Sequence, residues 1–332
     1  MPRPGLARGS NLGGVTQYGY SLMCELYHPN DLLAQAARAE EAGFDFLTIS
    51  DHFHPWLYSH EHSPYAWSVL GALAAQTQRV DLVSLVTCPT IRYHPAIVAQ
   101  KAATIAAMSG GRFHLGLGAG ENLNEHVVGR GWPPAAVRHD MLEEAIDIMR
   151  ALWSGGYHSH EGKHFTVHDA RIYTLPDVPP PVHVAVSGAK SIALAARAGG
   201  GMVAVQPSSK LTQAFAESAG TDKPKYGQIA VSIDDDEATA RRFAHERFRF
   251  SAPGWKVMAE LPNPINFEAA TTHVREDDVA QNISCGPDAD RHADAIRKWP
   301  DAGFDHVAVV QVGEPERFFQ MWESELRPRL DA

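Results

Sequence analysis

Residues 44–56 read FDFLTISDHFHPW. The first seven are aromatic, β-branched or otherwise apolar but for one aspartate and a closing serine, and they follow Gly43 at the end of a helical pattern, so they form a buried strand. Behind that strand come a carboxylate, two imidazoles and an indole: Asp51, His52, His54 and Trp56. In closed parallel α/β folds the functional side chains leave from the C-terminal ends of strands. This stretch is therefore a strand whose tip carries chemistry.

Working outward, the same alternation continues on both sides. Upstream lie an amphipathic helix ending at Ala42, capped by Asn30-Asp31, and an alternating strand at 17–26. Downstream follow a helix at 64–78, a strand at 81–87, and a helix at 95–108 with Pro95 in its first turn. A strand at 112–117, a helix at 137–153, a strand at 182–186 and a helix at 189–198 come next, the last stopped by Gly199-Gly200-Gly201. Strands at 202–206, 225–233 and 306–312, with helices at 237–247, 288–299 and 314–326, close the count at eight strand–helix units. That repeat predicts a mostly parallel sheet, and the lack of a dinucleotide fingerprint favours closure into a (β/α)8 barrel over an open sheet. The expected layout is a flexible leader over 1–15 and one barrel domain over 16–332. Insertions near 155–181, a small hairpin, and 251–277, an irregular segment, are expected to shape the mouth.

Composition narrows the function. Of the 332 residues, 44% are hydrophobic and 20% charged, which suits a globular protein with a sizeable core. The formal charge of -10 argues against a polyanionic partner such as nucleic acid. Cys24, Cys88 and Cys285 are widely spaced and form no CxxC pair, so neither a disulfide framework nor a zinc knuckle is expected. No stretch reaches the roughly 18 unbroken apolar residues of a membrane span, and the start has no signal-peptide core. A cytoplasmic enzyme is the expectation.

Three strand tips carry candidate chemistry. His52 can take a hydroxyl proton, since an imidazole titrates near neutral pH; the plainer reading is a capping Asp51 followed by surface histidines. After the fourth strand, residues 116–125 read GLGAGENLNE, whose glycines allow close backbone approach to a flat ligand and whose Glu121 stands ready as an acid or base. A turn with a capping asparagine explains the glycines but not the carboxylate. After the fifth strand, Ser187-Gly188-Ala189 opens a helix and can present backbone N–H groups to a phosphodiester, or Ser187 can be an ordinary cap. His52 and His54 also admit a metal-dependent barrel hydrolase. The other strand ends supply no further ligands, so no metal site is expected there or at His158, His160, His164 and His168, which alternate along an exposed face.

Together these residues resemble a known family, the deazaflavin (coenzyme F420) branch of the luciferase-like oxidoreductases, with its glucose-6-phosphate and secondary alcohol dehydrogenases. The match spans nearly the whole chain after the leader. It is carried by S-D-H-F-x-P-W at 50–56, C-P-T-x-R-Y-x-P at 88–95, G-x-G-E-x-L-N-E at 118–125 and M-R-x-L-W-S-G at 149–155. The resemblance implies a bacterial-luciferase-like TIM barrel, commonly a homodimer, that transfers hydride between F420 and a small substrate. It implies that His52 is the base, Glu121 its partner acid and Trp56 the brace over the ring. It places Asp51, Leu85, Val86, Cys88, Ala119, Gly120 and Asn124 around the ring, with a cis peptide at Leu85-Val86, and Val186, Ser187, Gly188 and Ala189 at the phosphate tail.

One departure bears on substrate. Where the glucose-6-phosphate dehydrogenases of this family grip phosphate with cations, this chain reads 205–210, 267–270 and 280–284, with Lys210 the cation among them. The mouth offers Trp56, Tyr58, Trp255, Met258 and Phe267 instead, so a neutral alcohol or carbonyl compound is expected and glucose 6-phosphate is expected to be poor. The main alternative on the same fold is an FMN-dependent monooxygenase.

Overall fold

The described chain enters at strand β1 (Gln17–Leu22), and the stretch 44–56 supplies β2 (Phe46–Ile49), whose four residues are all buried. Burial on both faces is what a parallel strand covered by helices requires. The computed structural model describes residues 15–332, so the leader falls outside the described residues except for Val15. The further strands are β3 (Asp81–Ser84), β4 (Phe113–Leu117), β5 (His158–Glu161), β6 (Thr166–Ala170), β7 (Val182–Ala185), β8 (Gly201–Ala204), β9 (Lys225–Ser232), β10 (Ser284–Cys285) and β11 (His306–Gln311). Eight of them pair in parallel in the order β1-β2-β3-β4-β7-β8-β9-β11, and β11 pairs back onto β1. The sheet is thus a closed (β/α)8 barrel, with β10 added beside β9.

Helices between the strands cover the outside, and their starts follow from local chemistry. Helices Pro29–Glu41 and Pro95–Met108 both begin with proline at the first turn. Both are capped by the histidine before it: His28 Nδ1 accepts from the Asn30 amide at 3.4 Å, and His94 Nδ1 from the Ala96 amide at 3.2 Å. The cap at the first of these is therefore His28 and not Asn30-Asp31. The sequence reading also passes over helix Ser209–Ala219, whose buried side chains are only Thr212 and Phe215, too sparse a stripe to read.

The two insertions differ from expectation in one case each way. Strands β5 and β6 form the antiparallel hairpin. Its histidines do not share an exposed face, because His160 turns inward to Glu144 at 3.0 Å. Residues 251–277 are not irregular: they contain short helices Trp255–Met258 and Pro264–Ala270, and Glu276–Ala280 begins as the segment ends.

Inside the barrel, Phe46, Val83, Val203, Tyr226 and Ala308 fill one layer. Toward the strands' N-terminal ends, His114 Nδ1 and His183 Nε2 lie 2.9 Å apart under the Tyr226 hydroxyl. Burial holds His114 down at about 4 and His183 well below the usual imidazole range, so this floor is neutral. The charged chemistry lies at the other end.

Candidate active site

Beyond Ile49 the chain leaves the barrel through Ser50, whose hydroxyl accepts from the Cys24 amide at 3.1 Å and donates to Glu25 Oε2 at 2.8 Å. Glu25 is wholly buried, in the turn that follows β1, and its Oε1 lies 3.0 Å from His52 Nδ1. On the far side, His52 Nε2 faces Glu121 Oε1 at 3.9 Å. The imidazole thus pairs with Glu25 across Nδ1 and presents Nε2 to the side of Glu121. Burial alone would lower the His52 pKa, but Glu25 first and Glu121 second outweigh it, so His52 sits above its ordinary value. Burial likewise pushes Glu25 up, and the His52 imidazole with its hydrogen bonds brings it net below the carboxylate range.

Trp56 meets His52 edge to face, with ring centroids 4.7 Å apart. Its other face stacks on Phe250 at 4.8 Å with planes 2° apart, and Phe267 closes its edge at 5.3 Å. Leu57, Leu123 and Met258 complete this apolar cluster. The His52 and Glu121 side chains are 10% and 15% exposed, which leaves both reachable from the mouth. A cleft of about 450 Å³ is lined by Leu26, residues 59–62, Glu246, Arg247 and Arg249.

Two residues assigned to the ring by resemblance are spent inside the protein. Asp51 Oδ2 accepts from Trp67 Nε1 at 3.0 Å and Thr87 Oγ1 at 2.8 Å, while Oδ1 accepts from Arg92 Nη2 and the Tyr93 hydroxyl, each at 3.1 Å. Four donors saturate a carboxylate. Asn124, fully buried, accepts from the Phe53 and His54 amides at 2.7 and 3.0 Å and donates to Glu121 Oε1. It thereby ties the tip of β2 to the loop after β4 and aims Glu121. Cys88 is also buried, 3.0 Å from the Thr90 hydroxyl.

Leu85 and Val86 are half-buried and pack on the barrel's inner layer, and the peptide between them is cis, as the resemblance implies. They give the mouth an apolar floor, with half-buried Ala119 beside them in sequence order after β4. The glycines here also pack closely within the protein: a Cβ on Gly118 would stand 2.7 Å from Val86, and one on Gly116 would overlap the Ser84 carbonyl oxygen. Gly120, at φ +79°, lies against the Cys88 sulfur. After β7, Val186 is buried while Ser187 and Ala189 are exposed. The cap there is Gly188, not Ser187, and the amides of Ser187 and Gly188 already donate to Ser191 Oγ at 3.0 and 3.2 Å.

The residue that sequence reading misses is Glu25. A strand drawn through residue 26 hides it, whereas a strand ending at Leu22 leaves it in the first loop at the functional end. Among the described residues, no group of three or more His, Cys, Asp or Glu is arranged to hold a metal ion.

The profile of the luciferase-like monooxygenases matches residues 10–306. The chain belongs to that family. Among its luciferase-like relatives, the F420-dependent glucose-6-phosphate dehydrogenase of Microbacterium testaceum is 35% identical, covering 95% of this chain and 97% of its own. That of Beutenbergia cavernae is 34% identical, over 96% and 98%. Among solved luciferase-like structures, an F420-dependent secondary alcohol dehydrogenase in complex with an F420-acetone adduct superposes with a TM-score of 0.88 at 31% identity, covering 96% of this chain and 99% of that one.

Proposed function

We propose that this protein is an F420-dependent oxidoreductase that moves hydride between the coenzyme and a neutral alcohol or its carbonyl counterpart. The observation that carries the reading is His52, held by Glu25 on Nδ1 and open at Nε2 between Glu121 and Trp56. When bound, coenzyme F420 supplies the hydride acceptor or donor. The residues fit it, since the half-buried apolar pair Leu85 and Val86 follows β3, between the tips of β2 and β4 that carry the base His52 and its partner Glu121.

In the oxidative direction, His52 Nε2 takes the hydroxyl proton as the carbon–hydrogen electron pair departs, and the carbonyl forms. Glu25 steadies the imidazolium that results, as a carboxylate on the remote nitrogen does. Glu121 faces Nε2 from the opposite side of the imidazole to Glu25, and Trp56, clamped by Phe250 and Phe267, keeps the reacting atoms aligned and water out. Resemblance supports Val186, Ser187, Gly188 and Ala189 as the cradle for the coenzyme tail; the exposure of Ser187 and Ala189 agrees with this. The same reading makes the protein a cytoplasmic homodimer, which sedimentation would test.

The neutral substrate rests on what surrounds Trp56. Phe267 is fully buried against it, Lys210 is exposed on a separate helix, and Arg249, next to Phe250, is neutralised by Glu268. A dianionic phosphate stripped of water there would find little compensation. The test is a panel of secondary alcohols, ketones and glucose 6-phosphate with F420. We expect kcat/KM for glucose 6-phosphate to fall about a hundred-fold below the best neutral substrate. Comparable or better turnover of glucose 6-phosphate refutes the neutral-substrate reading and aligns the chain with the activity named in its Microbacterium and Beutenbergia relatives.

A further inference from the structure

His60, in the loop after β2, is a buried histidine for which the chemistry above has no use. It is 6% exposed, and although the Arg247 main chain approaches it, neither ring nitrogen completes a hydrogen bond among the described residues. A buried polar group left unpaired is costly, so it asks for a reason. Two features place it. Its ring meets Phe250 edge to face with centroids 6.2 Å apart, and Phe250 is the ring that stacks on Trp56, beside His52. His60 also lines the cleft of about 450 Å³, together with Leu26, the residue after Glu25. Arg247 and Arg249 in the same wall are engaged, the first by the Val312 and Gly313 carbonyls and the second by Glu268. The wall therefore offers an anion no free arginine, and a polar cleft of this size is filled by water.

A proton taken up by His52 has to leave again before the next substrate is turned over. His52 Nδ1 lies against Glu25, which is wholly buried, so a proton handed to that carboxylate is still inside the protein. Glu25 Oε2 is held by the Ser50 hydroxyl. Glu25 is also the carboxylate that His60 feels most strongly: burial takes the His60 pKa down to about 4, and Glu25 is the largest influence opposing it. We infer that His60 is a proton relay, carrying the proton from the Glu25–His52 pair to water in the cleft while the mouth is covered. The inference rests on the proposed function and concerns how its base is reset. In the oxidative direction the substrate O–H bond breaks and its proton forms an N–H bond at His52 Nε2, while hydride leaves the carbon for the coenzyme. Nδ1 then releases its proton to Glu25, Glu25 passes it through water to one His60 nitrogen, and the other nitrogen releases a proton to the cleft. An imidazole can do this because one nitrogen accepts as the other donates. Nothing is oxidised or reduced along the relay. The low basicity of His60 makes it hand the proton on and not keep it.

The test compares the unaltered protein with His60→Phe, which packs beside Phe250 without a titratable nitrogen, and with His60→Gln, which keeps a polar side chain should the first variant fail to fold. With F420 and a secondary alcohol in weak buffer, steady-state turnover of the variants should fall about ten-fold or more, and added imidazole should restore it toward the unaltered rate. Hydride transfer in a single turnover, followed by rapid mixing, should stay within about two-fold, because the relay acts after it. In the coenzyme-free protein the His52 titration, followed by NMR, should stay in place. Unchanged turnover in weak buffer, a loss that imidazole does not restore, or a single-turnover rate that falls in step overturns the inference. A displaced His52 titration does so too, since His60 would then be a support for Glu25. Each of these removes the relay alone, whereas no hydride transfer by the unaltered protein removes the proposed function with it.

Discussion

Replacing His52 with asparagine should cut turnover by about 10²- to 10⁴-fold, the range typical of losing a positioned base, while coenzyme affinity changes little. Glu25, Glu121 and Trp56 all address this ring, and asparagine keeps a polar side chain without its basicity. The pH profile carries a second signature. Oxidation needs the neutral ring, so kcat/KM should decline as pH falls through the His52 pKa, which lies above the ordinary imidazole value of 6.5 because Glu25 and Glu121 overcome the effect of burial. Reduction needs the protonated ring and should decline as pH rises through the same point. Glu25→Gln removes the larger raising influence, so the inflection should move to lower pH in both directions. Steady-state rates across the pH range check this, and an unmoved inflection in Glu25→Gln would show that Glu25 does not set the basicity of His52.

Gly116→Ala should cost the fold about 3 kcal/mol or more. The methyl group would overlap the Ser84 carbonyl oxygen, and no flexible side chain stands there to yield. Ser84 and Gly116 are joined in both directions: Ser84 Oγ donates to the Gly116 carbonyl and accepts from the Gly116 amide, each at 3.1 Å. Moving either strand to admit the methyl would break both bonds and displace Leu85 and Val86 at the site floor. Thermal melts would record a large drop in Tm or a failure to recover soluble protein. Gly43→Ala offers a contrast, because a Cβ there meets nothing within 4 Å and its cost comes from φ +84° alone.

The barrel is legible because its strands are short, largely apolar or alternating runs set between glycine- and proline-marked helices, and eight of them recur in order. Where the signal was weak the reading slipped. Helix Ser209–Ala219 buries too few apolar side chains to show its period, and the helices within 251–277 are short and interrupted by proline and glycine. At the site, His52 and Trp56 stand out after β2 and Glu121 after β4 because strand tips carry them, and the structure brings both Glu121 and Trp56 within a few ångströms of His52. Asp51 and Asn124 are placed at the ring by resemblance, and nothing local reveals that Trp67, Thr87, Arg92 and Tyr93 converge on one and the Phe53 and His54 amides on the other. Such partners come from distant loops, which periodicity does not encode.

The most direct measurement mixes the purified protein with F420 or with reduced FMN and follows tryptophan fluorescence, then adds a secondary alcohol and follows the coenzyme's visible band. If His52 works as the base of a deazaflavin site, F420 binds, quenches the fluorescence near Trp56, and its visible band bleaches as the alcohol is oxidised, with the bleaching lost in His52→Asn. Tight binding of reduced FMN without F420, or bleaching that survives His52→Asn at the full rate, contradicts that account.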